Sequence, residues 1–400
     1  MSNVLPFNAI MPSKSIAAKV ATLPYDVMNR EEAAVMAQGN PLSFLHVTRS
    51  EIDLPDSVNP YSDDVYAKAL DNWQKLRDAR LAKDAVPAYY VYSLVMDGRR
   101  QTGIVATPAV ADYDNNIILK HERTRKEKED DRTKHISTLR AQTGPVFLTY
   151  RDDATIDAIV KRTMQGEPLF DFVATDGISH TGWRVSDDDT EALQNAFASI
   201  PNLYIADGHH RAASASRTCE ALKGDGESDR FLAVIFPAGQ LKILAYNRLL
   251  FDINGQTPEQ FLAAIGKAVK ITPNATPVPE RPGDVRMYFQ GSWWQLTLPE
   301  DNTLSAIDAL DVSRLQNLIL QPVFGIDDPR TSKRIDFVGG IRGTAELERR
   351  VNSGEAAVAF SMFPTTLDQL MAIADQGGIM PPKSTWFEPK LLSGLFIHAL

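Results

Sequence analysis

The chain has 400 residues, 44% of them hydrophobic and 23% charged, with a formal net charge of −9. It is long enough for two or three packed units and too apolar to be disordered or fibrous. The acidity, with a pI near 5.4, disfavours nucleic acid as a partner. The single cysteine, Cys219, excludes an intramolecular disulfide. No apolar run is long enough to span a membrane and the opening residues carry no export pattern, so a cytoplasmic protein is expected.

In chain order, Leu23-Pro24-Tyr25-Asp26 breaks a short helical pattern, and Asn29 followed by Glu31 and Glu32 marks a helix start. Val65, Ala69, Leu70, Trp73 and Leu76 recur at helical spacing, which predicts an amphipathic helix over 63–82. The alternating run from Tyr89 to Met96, the pair Asp97-Gly98 and the run from Gln101 to Ala106 predict a hairpin. A brief strand over 117–119 leads into a charged run, Lys120 to Lys134, and Gly144-Pro145 precedes a strand over 146–150. Helices over 153–164 and 188–198 lead to the strand Leu203-Tyr204-Ile205-Ala206. An alanine-rich helix over 212–223 and a strand over 231–236 follow. Cys219 sits in that helix as a small filler. After a stretch with four prolines over 272–283, a hairpin turning at Gly291-Ser292 is expected. Helices near 310–320, 344–353 and 366–376 and a strand over 356–362 complete an α+β pattern.

Asp207-Gly208-His209-His210-Arg211 falls at a strand-to-helix turn, where free N–H groups and the helix dipole favour an anion such as phosphate. There Asp207 can cap the helix or hold a divalent metal, Gly208 admits close approach of a ligand, and Arg211 offers a fork to phosphate oxygens. Adjacent helical residues point about 100° apart, so one of His209 and His210 at most faces a ligand. The plain alternative is an N-cap aspartate followed by two partly exposed histidines. Upstream, a charged surface helix explains most of the run from Lys120, but His121-Glu122-Arg123-Thr124 leaves the end of a strand. A carboxylate there can take a proton from a substrate hydroxyl. Near the C-terminus, Lys383, Ser384 and Thr385 can reach an anion or be a solvated helix stop, and Tyr25-Asp26 invites the same pair of readings. No Walker A loop, dinucleotide fingerprint, nucleophile elbow or HExxH is present.

Five blocks in order carry a resemblance over nearly the whole chain. They are Leu23-Pro24-Tyr25-Asp26-Val27, His121-Glu122-Arg123-Thr124, Gly144-Pro145-Val146-Phe147, Ala206 to Arg211, and Pro382 to Lys390. Together they resemble the uncharacterised family DUF ten-fifteen, which is itself similar to the ParB/sulfiredoxin-like superfamily and its free-serine kinases. The resemblance implies an α/β (α+β) architecture: a ParB/sulfiredoxin-like core over 1–250 and an α+β unit over 251–400 that returns Lys383, Ser384 and Thr385 to the phosphate. It implies a kinase acting on L-serine or a similar small hydroxyl compound. Glu122 would be the base, Asp207 with His209 would act at the phosphoryl group, Asp207 would hold Mg²⁺, and Gly208, His210 and Arg211 would bind phosphate. Tyr25, Asp26, His121, Arg123 and Thr124 would line the substrate side. The donor, ATP, ADP or pyrophosphate, stays open, as does a homodimer. Departures from the family pattern are Ala212 where a tyrosine is common, Arg123 where a lysine is, and Tyr246-Asn247-Arg248 where a histidine-arginine pair is. Two rival readings are a metal-dependent phosphate hydrolase using Asp207, His209 and His210, and a non-catalytic nucleotide-binding regulator.

Overall fold

Asn29 starts the first long helix as its spacing predicts. In the computed structural model, which describes residues 1–400, it caps α1 (Arg30–Ala37) by accepting the Glu32 N–H at 2.8 Å, while the Glu32 carboxylate takes the Asn29 N–H at 2.8 Å. Helix α2 (Asp63–Arg80) buries Val65 and packs Ala69, Trp73 and Leu76 against Phe44, Leu139 and Ile397. The chain divides into two units, residues 1–241 with 389–400, and residues 242–388. The sequence reading places the division at 250 instead. Tyr246–Leu250 is buried along its whole length, Asn247 and Arg248 included, and pairs only with strands of the second unit.

The first unit is built on a nine-stranded mixed sheet. Its strands are β1 (Val4–Leu5), β2 (Tyr90–Met96), β3 (Arg99–Pro108), β4 (Ile118–Leu119), β5 (Val146–Tyr150), β6 (Phe170–Val173), β7 (Ser179–Arg184), β8 (Leu203–Asp207) and β9 (Ala233–Pro237). They lie in the order β4-β8-β5-β9-β3-β2-β7-β6, with β1 alongside β3. The β2–β3 hairpin turns at Asp97-Gly98, both at positive φ (51° and 74°), the turn that matches strand twist. Helices α3 (Lys126–Leu139), α4 (Ala154–Thr163), α5 (Asp187–Ser199) and α6 (His209–Leu222) accompany it. The core gathers Val91, Ile104, Leu148, Ile205 and Ile235, each at most 1% exposed. The charged run becomes α3, tied to α6 by Arg217, which reaches Asp130 at 2.6 Å and Glu129 at 3.4 Å. Residues 389–400 complete this unit, with Ile397 bonded to Ile10 and His398 paired with Gln142.

The second unit holds a six-stranded antiparallel sheet of β10 (Tyr246–Leu250), β11 (Lys270–Pro273), β12 (Asp284–Phe289), β13 (Ser292–Thr297), β14 (Ile335–Gly339) and β15 (Val358–Ser361). The β12–β13 turn is Gln290-Gly291, one residue before the expected pair, because both residues adopt positive φ (48° and 74°). The fold is mixed α+β throughout, and no helix is long and apolar enough to cross a membrane.

Candidate functional site

Three of the distant sequence blocks meet at one end of the first sheet because of strand direction. Strands β4 and β8 are parallel neighbours, pairing Ile118 with Leu203, so His121-Glu122 and Asp207-Gly208-His209 leave the sheet at the same end. Strand β5 runs antiparallel to β8, so Gly144-Pro145 enters it there too. A bulge between Ile205 and Asp207 bends the end of β8 and re-aims Asp207. Gly208, at φ 93°, then turns the chain into α6 without a side-chain cap, which leaves first-turn N–H groups to an anion. A Cβ at Gly208 would also lie 2.9 Å from Arg211 Nε and 3.1 Å from its Cζ. Gly208→Ala is therefore expected to cost about 1–3 kcal/mol and to dislodge the Arg211 side chain, read as a lowered urea midpoint.

The two motif histidines separate as helix geometry requires. His210 turns outward and accepts the Arg125 N–H on Nε2 at 3.0 Å. His209 turns inward, 6% exposed, and sets its ring edge-on to His121, itself 2% exposed, with centroids 4.5 Å apart at 88°. Neither ring nitrogen of His121 makes a well-aligned hydrogen bond, although the Ile205 backbone lies near the ring, and Nε2 of His209 has no partner. Burial lowers the His121 pKa to about 4, with Asp207 and the Ile205 backbone pulling the other way. Burial, then the neighbouring His121, drives His209 well below its ordinary value. Both rings are thus neutral near pH 7. The exposed Glu122 brings its carboxylate to them, and a ligand atom from each of His121, Glu122 and His209 lies within 4.8 Å of the others.

Cations surround the adjacent carboxylate. Burial works against ionisation of Asp207, but Lys390 and then Arg211 hold its carboxyl below the usual carboxylate range. Its Oδ2 lies 3.2 Å from Arg211 Nη2 and 3.8 Å from Lys390 Nζ. Arg211 also donates to the Pro145 carbonyl. Arg211 and Arg132 line a cavity of about 40 Å³ with Tyr25, Thr143, Gly144 and Ser393, room for a few waters. The Arg132 guanidinium sits 4.0 Å from the centre of the Tyr25 ring and pairs with Asp131 at 2.8 Å. Burial pushes the Tyr25 hydroxyl up to about 12, so it stays protonated.

The remaining expected residues are less central. Asp26 and Arg123 are exposed. Thr124 donates to the Glu129 carboxylate at the head of α3. Lys383, Ser384 and Thr385 belong to the second unit. There the Ser384 hydroxyl donates to the Pro381 carbonyl at 2.6 Å, and the Lys383 ammonium lies 5.2 Å from the Tyr246 ring centre. Asp207 was expected to hold a metal, but its Oδ2 already faces two cations, and a dication there would have to compete with both. Lys390 and Arg132 are the residues sequence reasoning passed over. Lys390 closes the same block as Lys383, and Arg132 is hidden among the charges of α3.

No curated protein matches the sequence. Among solved structures, a free serine kinase in complex with AMP is similar at 13% identity and a TM-score of 0.34, over 68% of this chain and 84% of that one. SbnI with a C-terminal truncation from Staphylococcus aureus is similar at 11% and 0.39, over 72% and 85%. A conserved hypothetical protein from Pyrococcus furiosus is similar at 12% and 0.35, over 70% and 91%. Likeness this slight says nothing of what this chain acts on. Sequence is more telling: residues 4–313 match the family described as "Protein of unknown function (DUF1015)", and the chain belongs to that family.

Proposed function

We propose that the chain is a cytoplasmic phosphotransferase that moves a phosphoryl group from a nucleotide or pyrophosphate onto the hydroxyl of a small molecule, L-serine by preference. The observation that carries this reading is the placing of an exposed carboxylate, Glu122, within 4.8 Å of His209 at the head of α6, two residues after Asp207, which Arg211 and Lys390 face. A donor phosphate would sit against the first-turn N–H groups of α6 and the Arg211 guanidinium. Glu122 would take the hydroxyl proton as that oxygen bonds to phosphorus and the donor's bridging P–O bond breaks. His209 is neutral, so the positive charge opposite the transferred group comes from Arg211 and Lys390. Asp207 fits Mg²⁺ poorly, for the reason given above, and no step is assigned to that ion. The preference for serine rests on the motif resemblance.

The test is phosphoserine formation from L-serine with ATP, ADP or pyrophosphate supplied separately, in wild type and Glu122→Gln. Product with one donor, reduced roughly 10²–10⁴-fold in the variant, is the expected result. Phosphate release that needs no acceptor would replace this reading with the hydrolase, which the imidazole–carboxylate cluster also favours. A folded sample yielding neither would sink both.

A further inference from the structure

We propose that His121, Glu122 and His209 form a binding site for a first-row transition-metal dication of the zinc or manganese class. It uses residues of the proposed phosphotransferase but does not depend on that activity. Three observations carry it. Both imidazoles are more than nine-tenths buried, and three of their four ring nitrogens make no well-aligned hydrogen bond, the Ile205 backbone near His121 being only a weak contact. Buried polar atoms are rarely left so, and a cluster of them marks a place where something else completes the bonding. The rings are not loosely held: His121 follows β4 and His209 follows β8, so two paired parallel strands fix their spacing. Finally, donor atoms of both rings and of the Glu122 carboxylate lie within 4.8 Å of one another.

Zinc bonds to histidine nitrogen and carboxylate oxygen are about 2.0–2.2 Å, which places neighbouring ligands roughly 3–4 Å apart around one ion. The 4.8 Å span is wider than that, so binding an ion would draw the exposed Glu122 carboxylate inward. Two neutral imidazoles and one carboxylate suit zinc, manganese or iron(II), whereas magnesium prefers an all-oxygen shell. Three protein ligands leave positions open for water or for a substrate oxygen. Asp207, close by, is tied to Arg211 and Lys390 and stays out of the ligand set.

Metal-free full-length protein titrated with Co²⁺ tests this, since cobalt(II) reports its ligands in its visible absorption. The expected result is one saturable Co²⁺ per chain, displaced by Zn²⁺ and not by Mg²⁺ at equal concentration, with a raised melting midpoint. Affinity should fall at least tenfold in Glu122→Gln and in His209→Gln. It should be unchanged in His46→Ala, whose ring pairs with Asp53 away from the cluster. Glu122 is exposed, so its variant keeps the test valid should the buried substitution unfold the chain. No saturable binding, or equal binding in wild type and Glu122→Gln, would overturn the site. Tight cobalt binding that Glu122→Gln weakens, in a protein that makes no phosphoserine, would support the metal site while removing the phosphotransferase reading.

Discussion

Arg211→Ala should unfold at markedly lower urea than wild type and lose phosphoryl transfer by roughly 10²–10³-fold. Arg211 is the one side chain that touches three parts of the site. It pairs with Asp207, donates to the carbonyl of Pro145 and lines the cavity with Arg132 and Tyr25. Removing it orphans the Pro145 carbonyl and leaves Asp207 with Lys390 alone, 3.8 Å away. Breaking a fully buried pair costs about 3–5 kcal/mol, but more than a third of the Asp207 side chain meets solvent, so about 2 kcal/mol is the better expectation. Arg211→Lys sharpens the test. It keeps the charge but cannot hold Asp207 and Pro145 with one planar fork, so stability should recover more than turnover does. A lysine variant with wild-type rates would show that only charge is needed there.

Acid should destabilise the protein well before its carboxylates are titrated. His135, 4% exposed, keeps Nε2 on the Val47 carbonyl at 3.0 Å. His180, fully buried, shares a 2.7 Å bond between Nδ1 and the Tyr92 hydroxyl. Burial lowers both from the ordinary 6.5 to about 4, and at His135 the Arg132 charge lowers it further. Between those values the unfolded chain takes up protons that the folded chain refuses. The stabilisation is thus complete above pH 6.5 and is lost as pH falls through 4, up to about 3 kcal/mol for each histidine. Urea midpoints should be flat above neutrality and fall steeply from pH 6.5 to 4. His180→Phe, which keeps a ring between Tyr92 and Phe172, should flatten that fall by close to one proton. A midpoint unchanged between pH 7 and 5 would contradict this account.

Local signals were legible in the sequence where short-range chemistry decides the backbone. Asn29 and Glu32 build the capping box, Asp97-Gly98 sets the hairpin, and Leu203 to Ala206 delivers the motif to the head of a helix. That helix starts at His209, three residues earlier than its alanine pattern, because Gly208 turns the chain there. Strands β6 and β7 escaped notice. Strand β6 is the sheet edge and β7 lies next to it, and both mix polar with apolar residues, such as Asp171 and Thr181, which bond across the pair at 2.9 Å. Long-range placement was less visible still. Nothing within residues 381–390 distinguishes Lys383, which lies in the second unit, from Lys390, which reaches Asp207 in the first. The pairing of His121 with His209 was equally hidden, because it follows from β4 and β8 lying side by side, 85 residues apart in the chain.

The return of residues 389–400 to the first unit has a consequence for how the protein is made. Residues 242–388, 147 in number (388 − 242 + 1), are synthesised between the bulk of that unit and the segment that completes it. At about 5–20 residues per second, the ribosome takes roughly 7–30 s to cross them. Through that interval the nascent first unit lacks the strand partner of Ala141-Gln142 and Lys390, the second of the two cations that face Asp207. An exposed edge and a carboxylate held by Arg211 alone make that stage one at which chaperones or proteases would find the chain open.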